Sequence, residues 1–391
     1  MENILNVLVT GDFCLRGEAA EKCNSEEFIK KISAPIKKMT SQSDISMINV
    51  ETVFSDRGEP IIKSGPNLIS PVSGLSLLKE MGFTIAACAN NHIGDYGDDA
   101  VIDTINNLKS IGMMTVGAGK NEEDASKILY IDKNGTKLAV INACENEFGI
   151  AEKDKAGAAA FDYYKTSHLI KEANENADFV LVFIHGGNEF NPVPRPGMKK
   201  LCRFFAESGA SCVIVAHSHC PQGCEVYNDV PIVYGTGNFY MSNATYMKMW
   251  ERGYAVELEF KKGSPAKIKN LHPYIQAIDG SFFNFLEGEE KEYALKYIDC
   301  ISKLMNSEEH YEKLTLAWAD LYMRGKTEII DNRDNAPDSE HILFVRNSYT
   351  CESHNELMTT YYKAYCDNKI FGLEKYEEMI LKLQDAQIVE I

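Results

Sequence analysis

The stretch VIVAHSHCPQ, Val213 to Gln222, joins four apolar residues to a bare His-Ser-His. The apolar run reads as a buried strand. His217 and His219 stand at its mouth, in a chain with only nine histidines. A histidine at a strand end is usually structural, with a ring nitrogen satisfied by a neighbour. Two at i and i+2 face the same side if the segment stays extended, which is chelate spacing. The pair alone does not define a metal site; ligands at other strand ends would.

Those ends carry them. ILNVLVT (Ile4–Thr10) reads as a strand and places Asp12 just beyond it. DISMINVE (Asp44–Glu51) ends on Asn49 and Glu51, and FTIAACAN (Phe83–Asn90) leads into Asn91 and His92. VLVFIHGGNE (Val180–Glu189) ends on His185, with Glu189 following. Helical patterns lie between: SEEFIKKISAPIKKM (Ser25–Met39), broken or restarted near Pro35, GDDAVIDTINNLKSIG (Gly97–Gly112) and YYKTSHLIKEANENA (Tyr163–Ala177). SKILYIDKNGTKLAVINAC (Ser126–Cys144) reads as a hairpin turning at Asn134-Gly135. This alternation predicts an α/β domain of mixed strand direction. Binding sites in open α/β sheets gather at the carboxyl ends of strands, so these converging ends predict one shared metal site.

Imidazoles combined with carboxylates and a carboxamide suit Mn, Fe or Zn better than Ca or Mg. Six ligands exceed the four a single zinc commonly takes, which points to two divalent metal ions. Two metals ~3.5–4 Å apart can clamp an in-line displacement at phosphorus. A bridging hydroxide is then the nucleophile, and a nearby histidine gives the leaving group its proton.

The net charge of −17 argues against nucleic acid as a partner, because phosphate contacts need a basic surface. Eleven scattered cysteines read as reduced, mostly buried thiols, a cytoplasmic pattern. No run has the ~18 apolar residues of a membrane span, and MENILNVLVTGDF lacks the features of a signal peptide. After about residue 273 the texture changes to amphipathic helical spacing, as in EGEEKEYALKYIDCISKLMN (Glu287–Asn306). The expected division is a catalytic domain over 1–273 and a helical region over 274–391. TEIIDNRDNAPDSEH (Thr327–His341) reads as a loop, and His168, His272, His310, His341 and His354 as surface or packing residues. Cys220 and Cys224 lie too close to His217 and His219 for standard zinc-site spacing.

The order GD, N-x-E, NNH, H-x-G-x-E, H-x-H and G-N-F resembles the CapA (PGA_cap) family. This is the poly-γ-glutamate capsule-synthesis branch of the calcineurin-like metallophosphoesterases. The resemblance spans roughly residues 4–260. It is most specific in ANNHIGDYG (Ala89–Gly97), with YGTGNF (Tyr234–Phe239) and ESGASCVIVAHSH (Glu207–His219) as further matches. It implies a four-layer α/β/β/α sandwich with a dinuclear site between the sheets. By the resemblance, Asp12 and His219 hold the first metal, Glu51 bridges, and Asn91, His185 and His217 hold the second. Asn91 and His92 form the catalytic pair, with His92 the proton donor. Glu189 supports the ligands or faces substrate, and Asn49 and Arg16 shape the site or contact an anion. Arg195, in NPVPRPG (Asn191–Gly197), is a candidate for meeting an anionic substrate.

Three positions depart from the wider pattern. Cys14 stands where broader phosphoesterases carry a histidine, Glu51 replaces a bridging aspartate, and HSH replaces H-P-H. A site with one tight and one weak metal is compatible with these changes. The reading is a metal-dependent hydrolase, acting on a phosphoester or an anionic polymer and linked to the capsule-synthesis machinery. The alternative is a non-catalytic accessory protein that binds an anionic polymer or a synthase partner. His92 separates the two, because turnover needs a general acid and a structural metal site does not.

Overall fold

The computed structural model describes residues 4–242, 248–324 and 339–390. Its first sheet is built on β1 (Ile4–Cys14), β2 (Ile45–Val50), β3 (Ile85–Ala87) and β4 (Met114–Val116), all parallel. On the other edge of β1 follow β14 (Arg252–Lys261), β15 (Lys267–Gln276) and β16 (Phe283–Phe285), each antiparallel to its neighbour. The second sheet has the order β11 (Cys224–Tyr227), β12 (Val230–Val233), β10 (Cys212–Ala216), β9 (Phe179–His185), β7 (Thr136–Cys144) and β6 (Leu129–Lys133). A two-residue ribbon, β5 (Ala118–Gly119) with β8 (Gly157–Ala158), lies apart from both.

Side-chain alternation along the strands assigns the layers. Leu5, Val7 and Val9 of β1 share one buried cluster with Leu138 and Val140 of β7, Leu181 and Phe183 of β9, and Cys212 and Ile214 of β10. The two sheets therefore face each other. Leu8, Ile48 and Val50 turn to the opposite side and meet Phe28, Ile32, Leu77, Leu78, Val101 and Leu108 from the first sheet's helices. Val180, Val182, Val213 and Val215 turn outward onto Ile170, Leu201 and Phe205 from the second sheet's helices. The result is the expected α/β/β/α sandwich.

Three local expectations change. The helix Glu26–Thr40 is continuous through Pro35. Its buried side chains Phe28, Ile32 and Ile36 contribute roughly 1.5–3 kcal/mol each, which outweighs the ~3 kcal/mol cost of an internal proline. Strand β1 continues to Cys14, so Asp12 lies inside it. Strand β14 pairs with Ile4–Val9, and β13 (Asn238–Met241) then pairs parallel to Asp12–Cys14, with a register shift at Asp12/Phe13. VPIVYGTGNF (Val230–Phe239) reads in the sequence as one strand, but it is divided between sheets, β12 in the second and β13 in the first. The crossing runs so close to Gly11 that a Cβ there would lie 1.8 Å from the Gly237 carbonyl oxygen.

The expected boundary after residue 273 falls inside β15, and the sheet continues to Phe285 before the helices begin at Gly288. The helices Gly288–Asn306, Glu308–Arg324, Ser339–Thr350, Glu352–Cys366 and Glu374–Gln384 follow. Tyr297, Ile301, Leu314, Ala317, Leu357 and Ile380 join the same buried cluster that fills the space between the sheets. The loop expected over Thr327–His341 lies outside the described residues as far as residue 338, and Ser339 already begins a helix.

Candidate metal centre

The carboxyl ends of β1, β2, β3, β9 and β10 meet between the sheets. They bring together Asp12, Asn49, Glu51, Asn91, His92, His185, His217 and His219, all buried. Asn49 Nδ2 donates to Asp12 Oδ1 at 2.6 Å and lies 3.0 Å from His185 Nδ1. His185 Nε2 is 2.9 Å from Asn91 Oδ1 and 3.0 Å from His217 Nδ1. Glu51 Oε1 lies 3.4 Å from His185 Nε2, 3.8 Å from His219 Nε2 and 3.9 Å from His92 Nε2. His219 Nδ1 is 3.5 Å from Asp12 Oδ2 and 2.8 Å from Asn238 Oδ1, and its ring centre lies 4.6 Å from that of Trp250.

His217 and His219 do not arrive by strand alternation. Strand β10 stops at Ala216, and the two histidines take φ of 100° and 53°. That region is unfavourable for a side chain with a Cβ, and residues held there cluster at functional sites. The His217 N–H donates to Asp12 Oδ2 at 3.2 Å, which fastens this turn to β1.

Electrostatics divide the cluster. Burial, reinforced by the Asp12 charge, pushes the Glu51 carboxyl up to about 7. Burial works against charge on His219, but Glu51 and Asp12 carry its imidazole up to about 10. Burial takes His185 down to about 4 and also lowers His217 and His92. Both oxygens of Glu51 and the Oδ1 of Asn49 are buried without a hydrogen-bond partner. A buried carboxylate without donors is costly by several kcal/mol. Ligand atoms of Asp12, Glu51 and His185, and again of Glu51, His217 and His219, lie within 4.8 Å of one another. Glu51 belongs to both groups. These donors can hold metal ions.

His92 has a second set of partners. Its Nδ1 lies 2.7 Å from Asp95 Oδ2, and buried Lys63 pairs with the other oxygen of Asp95. Lys63 Nζ also lies 3.1 Å from His92 Nδ1, and His92 Nε2 faces Glu51. The Leu68 N–H also donates to Asp95 Oδ2, at 2.7 Å. Asn90 Nδ2 donates to the Val50 carbonyl at 2.8 Å and sets this loop against β2.

Other candidates lie apart from the cluster. Glu189 is exposed, near enough to act on His217 and His219. Arg16 is half-buried, with its backbone N–H on Ser242 Oγ at 3.1 Å. Arg195 is buried and pairs with Glu145, and with Glu356 at 2.5 Å. Cys14 is buried, and burial pushes its thiol up to about 11. Cys220 donates to the Asn191 carbonyl, and Cys224 lies against Ser302. Sequence reasoning missed Lys63, Asp95 and Asn238. Asp95 sits three residues after His92, and Asn238 lies within the quoted GTGNF; Lys63 is in an irregular stretch without a pattern.

Two facing sheets that pool carboxylates, carboxamides and imidazoles at their strand ends define a class, the α/β/β/α sandwich with a candidate metal centre between its sheets. The profile of the family described as bacterial capsule synthesis protein PGA_cap matches residues 6–243, and the chain belongs to that family. It is 33% identical over 168 residues to the capsule biosynthesis protein CapA of Bacillus anthracis, covering 41% of each chain. It is 28% identical over 242 residues to the PGA biosynthesis protein CapA of Bacillus subtilis (strain 168), covering 61% of this chain and 63% of that one. The chain thus spans less than two thirds of the length of either relative. Among solved structures, a novel phosphatase from Mycoplasma pneumoniae aligns with a TM-score of 0.45 and 11% identity, over 75% of this chain and 97% of that one. A 5′-nucleotidase precursor from Thermus thermophilus aligns with a TM-score of 0.43 and 13% identity, over 77% of this chain and 60% of that one. Among the described residues, no helix is long and apolar enough to cross a membrane.

Proposed function

We propose that this protein is a metal-dependent hydrolase of capsule or poly-γ-glutamate metabolism, acting on a phosphoester or another anionic substrate. The observation that carries the reading is Glu51, wholly buried, shared by two groups of ligand atoms, and without a donor to either oxygen. Asp12, Glu51, Asn91, His185, His217 and His219 would hold two divalent ions of the Mn, Fe or Zn type. When bound, such ions neutralise charge on a phosphoryl group and lower the pKa of water. Asn49 orients Asp12 and His185 through its amide. Asp95 and Lys63 hold the His92 ring at Nδ1, and His92 presents Nε2 toward Glu51, where it can hand a proton to a leaving group.

The test is elemental analysis joined to hydrolysis. This centre should account for about two metal equivalents in wild type, and Asp12→Ala and His217→Ala should carry fewer. His92→Ala should keep the metal and lose roughly 10²–10⁴-fold in turnover of a phosphoester. A wild-type protein that fills with metal yet turns over no phosphoester would move the reading to an accessory role, binding an anionic polymer or a synthase partner.

A further inference from the structure

A second set of ligand atoms lies where the helical region meets the sandwich. Glu147 follows β7, while Cys351 and His354 flank the start of the helix Glu352–Cys366. One ligand atom from each lies within 4.8 Å of the other two. His354 Nδ1 is 2.6 Å from the Tyr322 hydroxyl, and the two rings stack with centres 5.9 Å apart. That leaves His354 Nε2 facing Glu147, 3.6 Å away. A ligating histidine is usually oriented in this way, by a hydrogen bond on its other nitrogen. Asn347 Nδ2 donates to Glu147 Oε1 at 2.9 Å and orients the carboxylate.

Two further observations call for a cation. Cys351 also lies within 4.8 Å of ligand atoms of Glu145 and Glu352, so three carboxylates gather around one thiol. Arg195 pairs with Glu145 alone among them. Buried Asn188 donates from Nδ2 to the Ser353 carbonyl, between Cys351 and His354, and its Oδ1 has no partner.

We propose that Glu147, Cys351 and His354 form a separate site for one zinc-class divalent ion, which fastens the helical region onto the sandwich. A thiolate, an imidazole and a carboxylate are a borderline-soft donor set, suited to zinc rather than to Mg or Ca. The ligands come from residues about two hundred positions apart in the chain, so the ion would act as a cross-link between distant segments.

Cobalt(II), titrated into the full-length protein, reports a thiolate ligand through a thiolate-to-metal charge-transfer band. The band should form in wild type and in Asp12→Ala, and be lost in Cys351→Ser together with about one metal equivalent. His354→Gln should weaken cobalt binding at this site by roughly tenfold or more. A band that survives Cys351→Ser and disappears in Cys14→Ser would place the thiolate beside Asp12 and overturn the proposal. So would a saturated wild-type protein with no such band. Should Cys351→Ser not fold, His354→Gln and Cys14→Ser still decide between the two locations.

Discussion

Glu51 and His219 pose a problem at the residue scale, since both are buried and Glu51 has no hydrogen-bond donor. In the metal-free fold both hold protons more tightly than in an unfolded chain. Each therefore contributes stability at low pH that is lost as pH rises, from 4.5 through about 7 for Glu51 and from 6.5 through about 10 for His219. A divalent ion needs the deprotonated forms, so its binding strengthens where the empty fold weakens. The thermal shift produced by saturating zinc or manganese should therefore be larger at about pH 8 than at about pH 6. A shift that shrinks as pH rises would show that these two groups are not the ligands. The carboxylates and imidazoles were legible in the sequence because each stands at or just past the end of an apolar run. Lys63 was not, since only tertiary packing brings its amine to Asp95.

At the scale of the element, strands and helices with clean periodicity matched the sequence reading. The hairpin at Asn134-Gly135 forms as expected, with φ of 54° and 72° at its two turn residues. Pro35 misled because local chemistry was weighed without the buried stripe of its helix. The crossing between β12 and β13 misled because one apolar stretch serves two sheets, and nothing local marks the change. Gly11 is the element-scale requirement for that crossing. Gly11→Ala would drive a Cβ into the Gly237 carbonyl, an atom that cannot swing aside. The expected cost is about 3 kcal/mol or more, measured as a lowered denaturation midpoint at unchanged slope. A variant as stable as wild type would mean that the crossing strand can shift.

At the scale of the whole molecule, the sandwich and the helical region share the apolar cluster between the sheets. The helical region was legible as helices, but its role was not, because amphipathic spacing says which face is buried and not against what. It docks on the loops that follow β7 and β9. Arg195 reaches Glu145 and Glu356, Asn188 meets Ser353, and Gln384 Nε2 donates to the Phe190 carbonyl at 2.9 Å. Arg195→Ala would leave Glu145 buried without its counter-charge, and removing one partner of a buried pair costs roughly 3–5 kcal/mol. Chemical denaturation of Arg195→Ala beside the double variant Arg195→Ala/Glu145→Gln checks this. The double variant should recover part of the loss, and no recovery would place the cost elsewhere.

The covering helices also have a place in time. A chain made from its amino end completes every candidate ligand of the centre between the sheets by His219, well before the first helix of the helical region at Gly288 leaves the ribosome. The nascent protein thus carries all the residues of that centre before any of the helical region is made. Its two tryptophans can date the steps, since Trp250 touches His219 and Trp318 lies in the late helices. In stopped-flow refolding with metal present, the Trp250 signal of a Trp318→Phe variant should respond before the Trp318 signal of Trp250→Phe. The reverse order would mean that the ion enters a finished house.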